Sequence, residues 1–270
     1  MSGTAVAIER VSKTYGTRTG EIFAIDDVSL TIRDGEFVAL LGPSGCGKST
    51  LMLMTAGLVA RSAGRIAIGS TVVTRPYTDL GIVFQESNLL DWRTVLKNLM
   101  LQIEIRKLPP ASYEARAREL LKMVGLDGYE QKYPFELSGG MQQRVSICRA
   151  LVHEPPLLLM DEPFGALDAL TRDQLNMDLQ ELWMARPKTV IFVTHSISEA
   201  VFLADRIIVM TPRPGKIAAD ITVELPRPRT MAMRETPEFG AYTKQIRAMF
   251  EEWGVLRTVR TPAQKLGAVA

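Results

Sequence analysis

FVALLGPSGCGKST, residues 37–50, is the stretch on which the fold turns. Five apolar residues run straight into a glycine-rich loop, and Gly42, Gly47, Lys48 and Ser49 meet the pattern G-x-x-x-x-G-K-[ST]. Glycines let a backbone wrap an anion without Cβ clashes. The loop amides and the start of the following helix donate to phosphate, Lys48 adds positive charge, and the Ser49 hydroxyl can ligate Mg²⁺. Pro43, Ser44, Gly45, Cys46 and Thr50 complete the cradle. Cys46 sits at a helix start, where a thiol pKa can fall; a small side chain that fits the loop is the plainer reading.

Outward from this loop, the first third of the chain alternates like half-buried strands: AVAIERV, VSLTI with the turn RDGE, GRIAIGS and TVV. These predict a small antiparallel sheet beside the loop. LGIVFQ (80–85), LLLM (157–160), TVIFVTH (189–195) and RIIVM (206–210) are continuous apolar runs, as expected of parallel strands covered on both faces. With helical patterns between them, the fold class is α/β: a P-loop NTPase with a mostly parallel central sheet.

Residues 86–150 read as a helical subdomain. TVLKNLMLQIEIRK and SYEARARELLKMVGL carry apolar residues at helical spacing, the second with a cap expected at Ser112, a Glu114/Arg118 pair and a stop at Gly125. TPRPG and ELPRPRT mark the exit from the main lobe, giving a main domain over 1–225. An extension over 226–270 carries one terminal helix, PEFGAYTKQIRAMFEEW.

LLLMDEP puts Asp161 and Glu162 at the end of a buried strand. Neighbouring residues on an extended chain point opposite ways, so the two carboxylates can divide two tasks. Asp161 can hold Mg²⁺ through water while Glu162 acts as general base. His195 ends TVIFVTH and can reach a γ-phosphate oxygen or the attacking water. Gln85 closes GIVFQ, where its amide could reach metal and water. After it, Leu89, Leu90, Trp92 and Val95 are either core of the second lobe or a docking surface. Tyr15 can stack on an adenine ring or pack in the core, and His153 reads as structural.

A second glycine element, ELSGGMQQR at 136–144, poses a puzzle. Ser138 is a candidate helix cap, Gly139 and Gly140 permit close backbone approach, and the helix behind them is again prepared for an anion. One nucleotide does not need two cradles. Two copies paired head to tail would use both, with Ser138, Gly139 and Gly140 of each closing over the γ-phosphate held by the other's Lys48.

In that order, GPSGCGKST, FQ, LSGGMQQR, LLLMDEPFGALD and TH resemble the ATP-binding subunit of ABC transporters. The resemblance implies ATP and Mg²⁺, a homodimer or paired ATPase subunit, and transmembrane permease subunits as partners. It makes Tyr15 the adenine-stacking aromatic, Gln85 a sensor beside the permease and a metal neighbour, and His195 a switch. Asp168 would link the two sites across the dimer. Met141 stands where the commonest signature has glutamine, which removes a side-chain hydrogen bond but no phosphate contact. The Trp92 stretch, DRIIVMTPRPGKI and the late PEF resemble the import branch for nitrate, sulfonates and taurine, which works indirectly with a solute-binding protein. Asp91 replaces the proline that often precedes the tryptophan there.

Composition agrees. Of 270 residues, 46% are hydrophobic and 23% charged, as in globular proteins, and no apolar run approaches the length of a membrane span. Two cysteines fit a reducing compartment, and the start lacks the features of a signal peptide. These point to the cytosol, and the resemblance implies a peripheral position at the cytoplasmic face of the inner membrane. The net charge of +2 gives no footprint for nucleic acid, although residues 211–270 hold 10 basic and 6 acidic side chains. A soluble ABC ATPase acting on nucleic acid or ribosomes is the alternative; such relatives carry long coiled-coil insertions or two cassettes, and neither occurs here.

Overall fold

A computed structural model describes residues 4–255 apart from 19 and 166. The expected C-terminal extension is thus described only as far as residue 255.

Two sheets organise the chain. Strands β1 (Val6–Thr17), β2 (Gly20–Ile32), β4 (Ala63–Ile68) and β5 (Thr71–Val72) form an antiparallel sheet in the order β2-β1-β4-β5. The central sheet runs β10-β9-β3-β8-β7-β6, using β3 (Phe37–Leu41), β6 (Leu80–Val83), β7 (Leu157–Asp161), β8 (Thr189–Thr194), β9 (Arg206–Met210) and β10 (Ile217–Thr222). Its ladders are parallel except for the edge pair β9·β10. Every residue of β3 and β8 is buried, which is what their unbroken apolar runs require of strands covered on both faces.

Register sets the site. Leu41 pairs with Thr194 and Val209, Asp161 with Val193, and Val83 with Met160, so β3, β6, β7 and β8 end together on one edge of the sheet. In an open α/β sheet the crevice beyond these carboxyl ends is where ligands bind. Helix α1 (Lys48–Thr55) leaves β3 through the glycine loop and buries Leu51, Met52 and Met54 between the sheets.

Helices α2 (Val95–Ile105), α3 (Pro110–Met123) and α4 (Gly139–Leu151) pack together and share one core with the sheet face carrying Ala39, Met160 and Phe192. Thr94 and Ser138 cap α2 and α4 through their side chains. The α3 start differs from expectation: the helix begins at Pro110, with Pro109 before it, and Ser112 lies inside its first turn. Proline at the first helical position has its φ preset and lacks the amide that would go unsatisfied, so it overrides a serine two residues on. The Glu114/Arg118 pair is present at 2.8 Å.

Helices α5 (Ala169–Ala185), α6 (Ile197–Leu203) and α7 (Pro237–Glu252) add to the core on the same face of the sheet, capped by Asp168, Ser196 and Thr236. Phe239, Ile246 and Phe250 of α7 join the same core as α6. The segment leading to α7 is stapled by buried Arg229, which donates to the carbonyls of Val201, Phe202 and Ala204 at the end of α6. Among the described residues, no helix is long and apolar enough to cross a membrane.

Candidate nucleotide site

At the carboxyl edge of the central sheet lies a cavity of about 530 Å³, lined by Tyr15, Ser44, Lys48, Ser49, Gln85, Asp161 and Glu162 among others. Gly47 turns the chain into α1 at φ 101°, and a Cβ there would fall 2.7 Å from Ile25 Cδ1 and 2.9 Å from the Ala24 carbonyl. Only glycine fits that position, and it aims the first amides of α1 into the cavity.

Lys48 is buried, and its Nζ donates to the carbonyls of Gly42 and Pro43 at 2.9 and 3.0 Å, 3.7 Å from Glu162 Oε1. An ammonium held by loop carbonyls is a charge waiting for a phosphate oxygen. Ser49 Oγ donates to Asp161 Oδ1 at 2.7 Å. Burial raises the Asp161 pKa and the neighbouring Glu162 charge adds to the rise, while the Ser49 bond opposes it. A hydroxyl and a carboxylate that gains by acquiring a counter-charge are hard oxygen donors suited to a small divalent cation.

Glu162 does not continue the strand. Its φ of 43° swings the backbone out of the extended form, so both carboxylates line one cavity rather than opposite faces as strict alternation predicts. Its Oε2 lies 2.8 Å from His195 Nδ1, just past the end of β8. Gln85 joins them: its Nε2 and Glu162 Oε2 both lie within 4 Å of where a Cβ on Gly165 would stand. Tyr15, 38% exposed, pairs across the ladder with Ile22, and both line the cavity, so the core alternative for the tyrosine is set aside.

Cys46 takes the plainer of its two readings, a small side chain that fits the loop. The thiol is buried, and burial raises its pKa against the lowering pull of Lys48. The side chain packs within the loop.

The second glycine element lies elsewhere. Ser138 and Gly139 are exposed, the Ser138 hydroxyl accepts from the Met141 amide at 3.3 Å, and neither residue lines the cavity; exposed Asp168 caps α5 instead. Of the apolar group after Gln85, Val95 enters the core while Trp92 stays 75% exposed. Buried Asn98 holds this turn, accepting from the Leu90 amide and donating to the carbonyls of Leu90, Arg93 and Thr94. Sequence reasoning missed three wall residues, Ile22, Ala24 and Arg213. Ile22 was open to inference from its place opposite Tyr15; Arg213 comes from a loop distant in sequence.

A glycine loop between a central strand and a buried helix, with two carboxylates at the end of a parallel strand, defines a P-loop nucleotide-binding protein. The sequence profile of the ABC transporter family matches residues 25–165. An uncharacterized ABC transporter ATP-binding protein of Methanocaldococcus jannaschii is 44% identical over 88% of this chain and 88% of its own. The taurine import ATP-binding protein of Rhizobium johnstonii is 42% identical over 93% and 98%, and the aliphatic sulfonates import ATP-binding protein of Bacillus cereus 40% over 94% and 98%. A bacterial ABC transporter cassette solved as a dimer superposes with a TM-score of 0.72 at 34% identity, over 82% of this chain and 99% of that one. The same cassette, in a post-hydrolysis state bound to ADP and phosphate, gives 0.71 at 33%. The chain belongs to the ABC transporter family, as an ATP-binding, ATP-hydrolysing subunit.

Proposed function

We propose that this chain powers an importer of a small solute of the sulfonate, taurine or nitrate kind, working as a head-to-tail pair at the cytoplasmic face of the membrane beneath a separate permease. The observation that carries the reading is the convergence of Lys48, Ser49, Asp161, Glu162 and His195 on one end of the sheet. The names of the taurine and sulfonate relatives supply the transport direction and solute class. A solute-binding protein enters only indirectly, through the permease.

On this reading residues 1–225 are the ATP-binding domain, with 86–150 as its helical arm, and 226–270 an extension. ATP lies with its base against Tyr15 and its phosphates along residues 42–50, where the α1 amides and Lys48 meet them. Ser49 and Asp161 would hold Mg²⁺, which would supply charge neutralisation on the transferring phosphoryl group. Glu162 takes a proton from the attacking water. His195 keeps that carboxylate oriented through Nδ1, and Gln85 places its amide beside the same water. Ser138, Gly139 and Gly140 of the partner close the site, and Asp168 lies where the two sites communicate. Closure moves the permease, docked near exposed Trp92, and hydrolysis resets the pair.

Complementation tests the shared site. Lys48→Ala and Ser138→Arg subunits are each expected to lack turnover alone. A hybrid pair retains one site with both halves intact, so a mixture should regain ATPase activity. An inactive mixture in which hybrid dimers demonstrably form would overturn the scheme.

A further inference from the structure

The loop after β9, TPRPGK at 211–216, is braced so as to hold one arginine against the nucleotide cavity. The Thr211 amide donates to the Lys216 carbonyl at 2.9 Å, and the Thr211 hydroxyl accepts from the Lys216 amide at 3.0 Å and donates to the Pro214 carbonyl at 3.1 Å. The loop is then pinned to β2: Gly215 donates to Ala24 at 3.0 Å and accepts from Asp26 at 3.1 Å, and Lys216 Nζ lies 2.8 Å from Asp26 Oδ2. Gly215 packs so tightly on the phosphate loop that a Cβ would come within 2.0 Å of the Cys46 carbonyl.

Arg213 is what this bracing presents. Its Nε donates to the Gly45 carbonyl at 3.2 Å, in the phosphate loop itself, and the side chain lines the cavity with Tyr15, Ile22, Ala24 and Gly45. Its two Nη groups make no hydrogen bond or ion pair to protein among the described residues, although an arginine in a polar cleft has five donors to satisfy. The other cation of the cavity, Lys48, already faces Glu162 at 3.7 Å. A nucleoside triphosphate entering here brings more negative charge than Lys48 alone can balance, and a guanidinium fixed at one edge offers its remaining N–H groups to phosphate oxygens.

We propose that Arg213 is a nucleotide-binding residue, gripping the phosphate chain of ATP from the phosphate-loop wall of the cavity while its Nε steadies that loop. This rests on the nucleotide reading of the cavity. Arg213 contacts the phosphate loop at Gly45 and, among the described residues, makes no hydrogen bond or ion pair with Glu162 or His195, so it contributes to holding the nucleotide and not to the chemical step. The consequence is a split between KM and kcat.

The experiment measures MgATP affinity by equilibrium dialysis, and steady-state ATPase kinetics, for wild type and for Arg213→Ala, Arg213→Gln and Arg213→Lys, with Lys48→Ala as reference. Arg213→Ala and Arg213→Gln are expected to raise Kd and KM about tenfold, with kcat within about threefold and unfolding midpoints unchanged. Arg213→Lys keeps the charge and should recover part of the loss, and the penalty should shrink as salt rises. Affinities equal to wild type in Arg213→Ala, or equal losses in the lysine and glutamine variants, would overturn the proposal. So would a fall in kcat and thermal stability at unchanged KM, which would leave Arg213 as a brace for the loop. If Lys48→Ala also binds MgATP like wild type, it is the nucleotide reading of the cavity that fails.

Discussion

Replacing Glu162 by glutamine alters one atom, and with it a charge and a proton acceptor. The amide oxygen can still accept from His195 Nδ1, now 2.8 Å from Glu162 Oε2, so the ring keeps its partner. What disappears is the base. A positioned general base is worth about 100- to 10,000-fold in rate, or about 2.7 to 5.4 kcal/mol of barrier. Binding should move the other way. The lost charge stood 3.7 Å from Lys48 Nζ, a gross attraction of about 4 kcal/mol at an effective dielectric of about 20, offset in part by desolvation. Its removal frees the ammonium for phosphate and takes a negative charge from beside the triphosphate. Phosphate release should therefore fall at least about 100-fold, while the Kd for MgATP stays within about threefold of wild type or tightens, and light scattering should show the dimer accumulating with ATP. Turnover within about tenfold of wild type would remove Glu162 from the chemistry. Parallel loss of turnover and affinity would make it a structural residue.

Two further expectations concern residues outside the cavity. His153 lies 3.2 Å from the Leu80 carbonyl through Nε2 while its Nδ1 is buried without a partner among the described residues; its pKa is pushed down to about 4, chiefly by burial, with the Arg106 charge adding. The unfolded chain binds this proton at higher pH, so the stability involved is complete above about pH 6.5 and is lost as pH falls towards 4. At pH 5 the loss is about 2 kcal/mol gross, and about 1 kcal/mol after screening at a partly exposed ring. Urea titrations at pH 7 and 5 should show a smaller acid loss in His153→Gln; identical pH dependence would refute the assignment. Arg149 donates to the carbonyls of Asn88 and Ser87 at 2.7 and 2.8 Å, so Arg149→Ala should speed amide exchange over residues 86–92 at least tenfold while ATP affinity stays within about twofold. Unchanged exchange would show that the segment is held from elsewhere.

The parts of this site that are legible in the sequence are local in chain. The phosphate loop is nine consecutive residues, 42–50, whose glycines, lysine and hydroxyl act within one short stretch of chain. Asp161, Glu162 and His195 sit at the ends of apolar runs, and parallel packing brings such ends together whatever the strand order. Long-range placement is what periodicity leaves out. Arg213 reaches the cavity because Gly215 packs on Cys46 and pairs with β2, contacts between residues far apart in sequence. The Cys46 thiol shows the same limit: its position at a helix start is visible in the sequence, but the burial that outweighs it is not. Glu162 leaves the strand geometry that alternation assumes, and no residue type nearby announces it.

One helix bears on both halves of the proposed dimer site. The exposed end of α4 carries Ser138 and Gly139, and its body grips the segment that follows Gln85. Gln143 Nε2 donates to the Phe84 carbonyl at 3.1 Å, Gln142 Oε1 accepts from the Ser87 hydroxyl at 3.2 Å, and Arg149 holds the next two carbonyls. Asn98 then fixes the turn that exposes Trp92. From Gln85 in the cavity to Trp92 on the surface, the backbone is therefore bonded to helices rather than left as a free loop. A push at Trp92 would bear on α4 through these bonds, and α4 is the element whose first residues would meet the other copy's phosphates in the proposed pair. The segment from Phe84 to Thr94 is thus joined to α2 and α4 by hydrogen bonds within one chain, so in the proposed scheme an event at the permease surface and the approach of the second subunit would act on the same connected piece.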